Sequence, residues 1–431
     1  MQSVNTELLD FIYSSPTAFH AVDNIKHILI DNGYVELDAT MDSPLKPGGK
    51  YFTVRNGSAI AAFRLPEDAP EGFGIVAAHL DSPCFKVKEN AVVFSAGLYS
   101  QLNVERYGGM IMSTWMDRPL SAAGRVIIEQ NNRLVSRLVD FKEPVCVIPN
   151  VAIHMNRNIN DGFAINPAVD MLPLLGGSET GADFDSRLAE KLGVDKSSIV
   201  AREILLYPSQ RGVCWGGEKE YISSARLDDL QCAFGCLKGF LAAGKLTKAA
   251  VFCAFDNEEV GSGTRQGADS DFLSGILSKI AEDCAEKPLP ALVANSFLVS
   301  ADNAHAIHPN HPEYADKNDR PVMNGGIVIK YNANQLYTTD AVSAAVFNRI
   351  CARAGVPVQR FTNRADMRGG STLGHISSAH VAVASVDIGL AQLAMHSAWE
   401  TAGARDTEYL LEAIKTYYEA AIRISTGGIE I

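Results

Sequence analysis

Glu258 and Glu259 stand side by side directly after the apolar run "VFCAFDN". In extended backbone, neighbouring side chains point in different directions, so one glutamate can bind a metal while the other faces a water. Similar residues occupy similar places. His79 and Asp81 close "GIVAAHLD", Asp228 follows Leu227 in "SARLDDL", Asp302 closes "SFLVSAD", and His396 lies in "AQLAMHSAW". Two histidines and three carboxylates suit zinc or a related divalent ion, and a bridging carboxylate can hold two ions ~3.5–4 Å apart. A further carboxylate, outside the ligand set, then serves as general base. Asp81 is placed to accept the other ring N–H of His79 and fix its tautomer. Taken singly, a strand-end histidine is a structural residue and a Glu-Glu pair a solvated loop. Their shared position after apolar runs is what points to a metal site.

The elements that must position these residues are visible in the hydrophobic pattern. Residues 3–33 carry apolar positions at helical spacing, with a break at Ser15-Pro16. "KYFTVRNGSAIAAFRL" has two β-rich runs around Asn56-Gly57, a hairpin signal. Residues 91–213 are rich in short runs, Gly, Asn and Pro, and are expected to be mostly β. From about 222 onward, strands such as "AAVFCAFD" and "HVAVASVDIG" alternate with helical stretches such as "DSDFLSGILSKIAEDCA". That alternation predicts an α/β domain around a largely parallel sheet, split in sequence by a β-rich insertion. The expected division is 1–90 and 214–431 for the α/β domain and 91–213 for the insertion. Ligands of such sheets bind beyond the carboxyl ends of the strands, where the candidate residues fall.

Composition narrows the function classes. The chain has 431 residues, 47% hydrophobic and 20% charged, with a net charge of −12. An acidic chain without a basic stripe is no nucleic-acid binder. No apolar run reaches the roughly 18 residues of a membrane span. The N-terminal "MQSVNTELLDFIYSS" lacks the features of a signal peptide, and eight scattered cysteines are expected to be reduced thiols in a cytoplasmic protein. Cys232 and Cys236 sit four apart, but no second Cys or His pair accompanies them as a zinc site would require.

The order His-x-Asp, Asp, Glu-Glu, Asp, His resembles that of the two-zinc aminopeptidases. The fuller wording is similar to the aspartyl aminopeptidase family, metallopeptidase family M18. The stretches that carry it include "AAHLDSPCFKVK", "YGGMIMSTWMDRPLSAAGRV", "IPNVAIHMNRNIN", "FDNEEVGSGTRQGA", "SADNAHAIHPN", "GGIVIKYN", "MRGGSTLGHI" and "LAMHSAWE", spread over most of the chain. The resemblance implies a three-layer zinc-peptidase α/β domain with an inserted β-rich dimerisation domain, assembled as dodecamers built from dimers. It implies that Asp228 bridges two ions, most simply Zn2+ with Mn2+ or Co2+ as alternatives. His79 and Asp302 would complete one ion, and Glu259 and His396 the other. Glu258 would be the general base, and the substrate a peptide with an N-terminal Asp or Glu. It further implies that His154 stabilises the oxyanion in a neighbouring subunit's site, that His308 serves activity and assembly, and that Lys330 pairs with the substrate's acidic side chain. One departure stands out: in "NRADMRGG", Ala365 occupies a place where the family pattern has Asn-Asp after the Arg. That leaves a neutral N-terminal preference as the alternative on the same metal core. An inactive scaffold of this fold would have lost Glu258 or Asp228, and both are present.

Overall fold

The structure is a computed structural model that describes residues 2–177, 183–367, 369–370, 372–425 and 428–431. Arg368 and Ser371 of the "MRGGSTLGHI" stretch lie outside the described residues. The chain forms two compact units. The first comprises Met1–Asp81, Gly212–Met395 and Glu400–Ile431, and the second Ser82–Arg211 with His396–Trp399.

The first unit is built on a thirteen-stranded mixed sheet. At its centre four parallel strands lie in the order Ala249–Phe255, Phe73–His79, Phe297–Ala301 and Ala384–Leu393. Their near-continuous apolar sequence follows from burial on both faces. Along Phe73–His79, Val76 and Ala78 enter one hydrophobic cluster while Phe73, Ile75 and Ala77 enter another. The first cluster is covered by helices that include Ala18–Asp31, Leu227–Ala242, Ala341–Ala354 and Asp406–Glu419; the second is covered by Phe272–Cys284. Helices on both faces of the sheet make the three-layer α/β arrangement that the family resemblance implied. The Lys50–Arg55 and Ala59–Arg64 strands pair antiparallel, and Asn56 and Gly57 between them take φ of 55° and 71°, as the turn requires.

Register places the site. Phe255 is opposite His79 and Ser300 is opposite Ala77, so Ala249–Phe255, Phe73–His79 and Phe297–Ala301 end nearly level, while Ala384–Leu393 runs on past Ile388, the partner of Ala301. Residues just beyond them share one edge of the sheet.

The second unit is a six-stranded antiparallel sheet in the order Arg133–Asp140, Leu120–Gln130, Ile199–Pro208, Cys84–Ser95, Tyr99–Tyr107 and Leu174–Gly177. Helix Phe184–Leu192 packs Phe184 and Leu188 into its core, and Asp183 caps that helix through the Ser186 N–H at 3.0 Å. Among the described residues, no helix is long and apolar enough to cross a membrane.

Candidate metal centre

His79 ends its strand and is 1% exposed. Its Nε2 lies 3.5 Å from Asp228 Oδ1 and 3.9 Å from Asp302 Oδ1. Its Nδ1–H is held by the backbone oxygen of Asp81 at 3.1 Å, with the Asp81 carboxylate at 3.5 Å. This fixes the ring so that Nε2 faces the carboxylates.

Asp228 arrives from a different element. It sits at the start of Leu227–Ala242 with non-helical φ and ψ of −77° and 110°, and its peptide bond to Asp229 is cis. Its N–H donates to Glu400 Oε2 at 3.0 Å, and Glu400 is itself 2% exposed. Asp229 is fully buried, and its Oδ2 accepts the His79 backbone N–H at 3.1 Å. Asp302 is paired with Lys330, whose Nζ lies 3.3 Å from Oδ2. Behind it, Asn303 donates to both Gln231 and Gln392 at 3.0 Å and accepts from the Cys232 thiol at 3.1 Å. Cys232 and Cys236 are both fully buried, and Cys232 serves this network.

The two glutamates follow a left-handed residue. Asn257, with φ 64°, turns the chain out of the strand into the short helical turn Glu258–Val260. The Glu258 and Glu259 N–H groups donate to Asp81 Oδ1 and Oδ2, each at 3.1 Å.

The donor set fits a divalent cation. His79, Asp228, Asp229 and Asp302 offer donor atoms that all lie within 4.8 Å of one another, and so do His79, Glu258 and Glu259. Because Asp229 already accepts a backbone N–H, it suits the supporting shell better than the ligand set. So many buried carboxylates demand positive charge beside them. The crowding is visible in their proton affinities. Burial, reinforced by Asp302, Glu259 and Asp81 and opposed by His79, pushes the Glu258 carboxyl up to about 8. Burial alone would lower His79, but Asp229, Asp228 and Asp81 outweigh it and hold the imidazole well above its usual value.

The other sequence candidates are placed as follows. Lys330 is 3% exposed; Asp302 outweighs the effect of burial and raises its ammonium, which also lies 5.6 Å from the Tyr337 ring centre. His308 is exposed, accepts the Asn310 N–H at 3.2 Å and lies 5.4 Å from the His311 ring. His154 is exposed within the second unit, close in sequence to the exposed Val151, Ile153 and Met155. His396 also belongs to the second unit, with φ 66° and its Nδ1–H on the Gly109 carbonyl at 2.6 Å. Ala365 is exposed between Arg364 and Asp366, which pair at 2.8 Å. Sequence reasoning missed Asp229 and Glu400. The doubled Asp in "SARLDDL" was the one signal available for the first.

A parallel-centred α/β sheet carrying buried His and carboxylate donors beyond its strand ends defines a metallohydrolase type of centre. The family described as Aminopeptidase I zinc metalloprotease (M18) matches residues 11–418, and the chain belongs to it. It is 44% identical over 422 residues to a probable M18 family aminopeptidase 2 of Clostridium acetobutylicum, covering 96% of this chain and 98% of that one. Among solved structures it is similar to Ape4 in complex with Nbr1, with a TM-score of 0.92 at 34% identity, covering 97% of this chain and 86% of the other. It is also similar to the S. cerevisiae mApe1 dodecamer, with a TM-score of 0.84 at 28% identity and 96% of both chains covered. The protein is a metallo-aminopeptidase of the M18 type.

Proposed function

We propose that this enzyme removes N-terminal residues, preferably Asp or Glu, from peptides at a two-ion centre. The observation that carries the reading is the convergence of His79, Asp228, Asp302 and the Glu258–Glu259 pair at one edge of the parallel strands. His79 and Asp302 would hold one ion and Glu259 and His396 the other, with Asp228 serving both. Zn2+ suits this mixed N and O set, and Mn2+ or Co2+ are chemically admissible. Bound ions would lower the pKa of a water and polarise the scissile carbonyl.

The remaining work falls to the protein. Glu258 takes the proton of the attacking water and delivers it to the leaving amino nitrogen. Lys330 supplies the cation for an acidic side chain; with one donor on Asp302, its ammonium keeps others for the substrate. His154, exposed in the second unit, is assigned to oxyanion stabilisation in a neighbouring subunit's site, and His308 to the approach of substrate and to assembly. These last roles require association, in which the second unit is the dimerisation domain. A dodecamer is the assembly proposed here, since the similar mApe1 forms one. The cytoplasmic location expected from the scattered cysteines belongs to the same proposal.

Glu258→Gln tests the reading. It is expected to abolish turnover while the bound metal per chain stays unchanged. Retained turnover would remove Glu258 from the base role.

A further inference from the structure

The geometry points to Asn257 as the pivot of a three-residue clasp, with Thr264 and Gln266, that aims Glu258. This rests on the aminopeptidase reading above and adds positioning residues to it. Asn257 lies between the end of strand Ala249–Phe255 and the first glutamate, in the left-handed region with φ 64° and ψ 24°. Asparagine tolerates that region better than most residues, but glycine would serve the backbone equally well. The side chain does something glycine cannot. Its single Oδ1 accepts the Thr264 hydroxyl at 2.8 Å and the Gln266 Nε2 at 2.7 Å.

Those two donors come from the far arm of the same loop. The loop is closed at its neck, where the Asp256 N–H donates to the Gln266 carbonyl at 3.1 Å. Its near arm folds back on Asn257, whose own carbonyl accepts the Ser262 N–H at 2.8 Å and the Val260 N–H at 3.3 Å. The Asn257 N–H donates to Asp256 Oδ1 at 2.8 Å. The two arms approach so closely that a Cβ on Gly267 would sit 2.1 Å from the Ser262 carbonyl. A rotation about the Asn257 backbone would therefore swing Glu258 and break both clasp bonds. Asp81 holds the Glu258 N–H from the other side, so the candidate base is gripped at its own amide and at the preceding residue. The clasp also gives the Thr and Gln of "FDNEEVGSGTRQGA" a task.

Asn257, Thr264 and Gln266 are positioning residues: they act through Glu258. The test uses the full-length, metal-loaded enzyme. Asn257→Gly keeps the left-handed backbone and removes the acceptor; Thr264→Val combined with Gln266→Met removes both donors and leaves Asn257 in place. For each, kcat on an N-terminal Asp substrate is expected to fall about 10- to 100-fold with KM little changed, as a misaimed catalytic group does. Metal content stays at the wild-type level, and Thr264→Ser alone, which keeps the hydroxyl donor, leaves kcat near the wild-type value. Amide exchange over 258–262 is expected to quicken in Asn257→Gly. Unchanged kcat in both clasp variants, kcat losses that track metal loss, or unchanged exchange would each overturn the clasp. A wild-type enzyme without metal-dependent peptidase activity, but with quickened exchange in Asn257→Gly, would leave the clasp standing and sink the functional reading instead.

Discussion

Asp81 and Glu258 are joined by a hydrogen bond from the Glu258 backbone N–H to Asp81 Oδ1 at 3.1 Å, and the second Asp81 oxygen takes the Glu259 N–H at the same distance. The carboxylate thus braces the exit of one parallel strand against the exit of its neighbour. The nearer acceptor for the His79 ring is the Asp81 backbone oxygen. Asp81→Asn keeps one acceptor oxygen and turns an amide N–H2 towards the other backbone donor. We expect kcat to fall about 10- to 100-fold, since the displaced group is the base itself. Metal content should change little because the backbone oxygen still holds the His79 ring. Steady-state kinetics with metal analysis checks this, and an Asp81→Asn enzyme with full kcat would refute the brace.

Lys330 governs the choice of substrate in this account. Replacing it by methionine preserves length and removes the charge. The kcat/KM for N-terminal Asp and Glu substrates should fall about 10- to 100-fold, the loss expected for one charge-assisted hydrogen bond. Turnover of a Leu substrate should change less. Equal losses on Asp, Glu and Leu would make Lys330 a partner of Asp302 alone, a role that its 3.3 Å pairing already supports.

Gly389 has no room for a side chain. A Cβ there would lie 2.0 Å from the Asp302 backbone oxygen and 3.0 Å from Lys330 Cε. Gly389→Ala is therefore expected to cost about 1–3 kcal/mol, as other overpacked sites do. It should weaken metal retention too, because the backbone it displaces carries Asp302. Denaturant midpoints and metal titration measure the two effects, and a variant unchanged in both would contradict the packing described here.

His79, Asp302 and the Glu258–Glu259 pair were legible in the sequence because each follows an apolar run. Parallel pairing then sets such runs level, as the opposition of His79 and Phe255 shows. Asp229 was hidden because two adjacent aspartates were read as supplying one ligand. Glu400 was hidden for a topological reason. It reaches the Asp228 N–H only because the Glu400–Gly403 strand pairs antiparallel with Tyr221–Ser224, with Glu400 opposite Ser224. Nothing local to "LAMHSAWE" marks that pairing, nor the membership of His396–Trp399 in the second unit. The clasp was hidden as well, since it depends on a loop closing on itself.

The most direct test of the central claim is hydrolysis of matched substrates with N-terminal Asp, Glu, Leu and Lys, before chelation, after it, and after return of metal. The account predicts activity on Asp and Glu that is lost with the chelator and restored by the ion. Activity that survives complete metal removal, or metal-dependent activity confined to Leu or Lys, would contradict it.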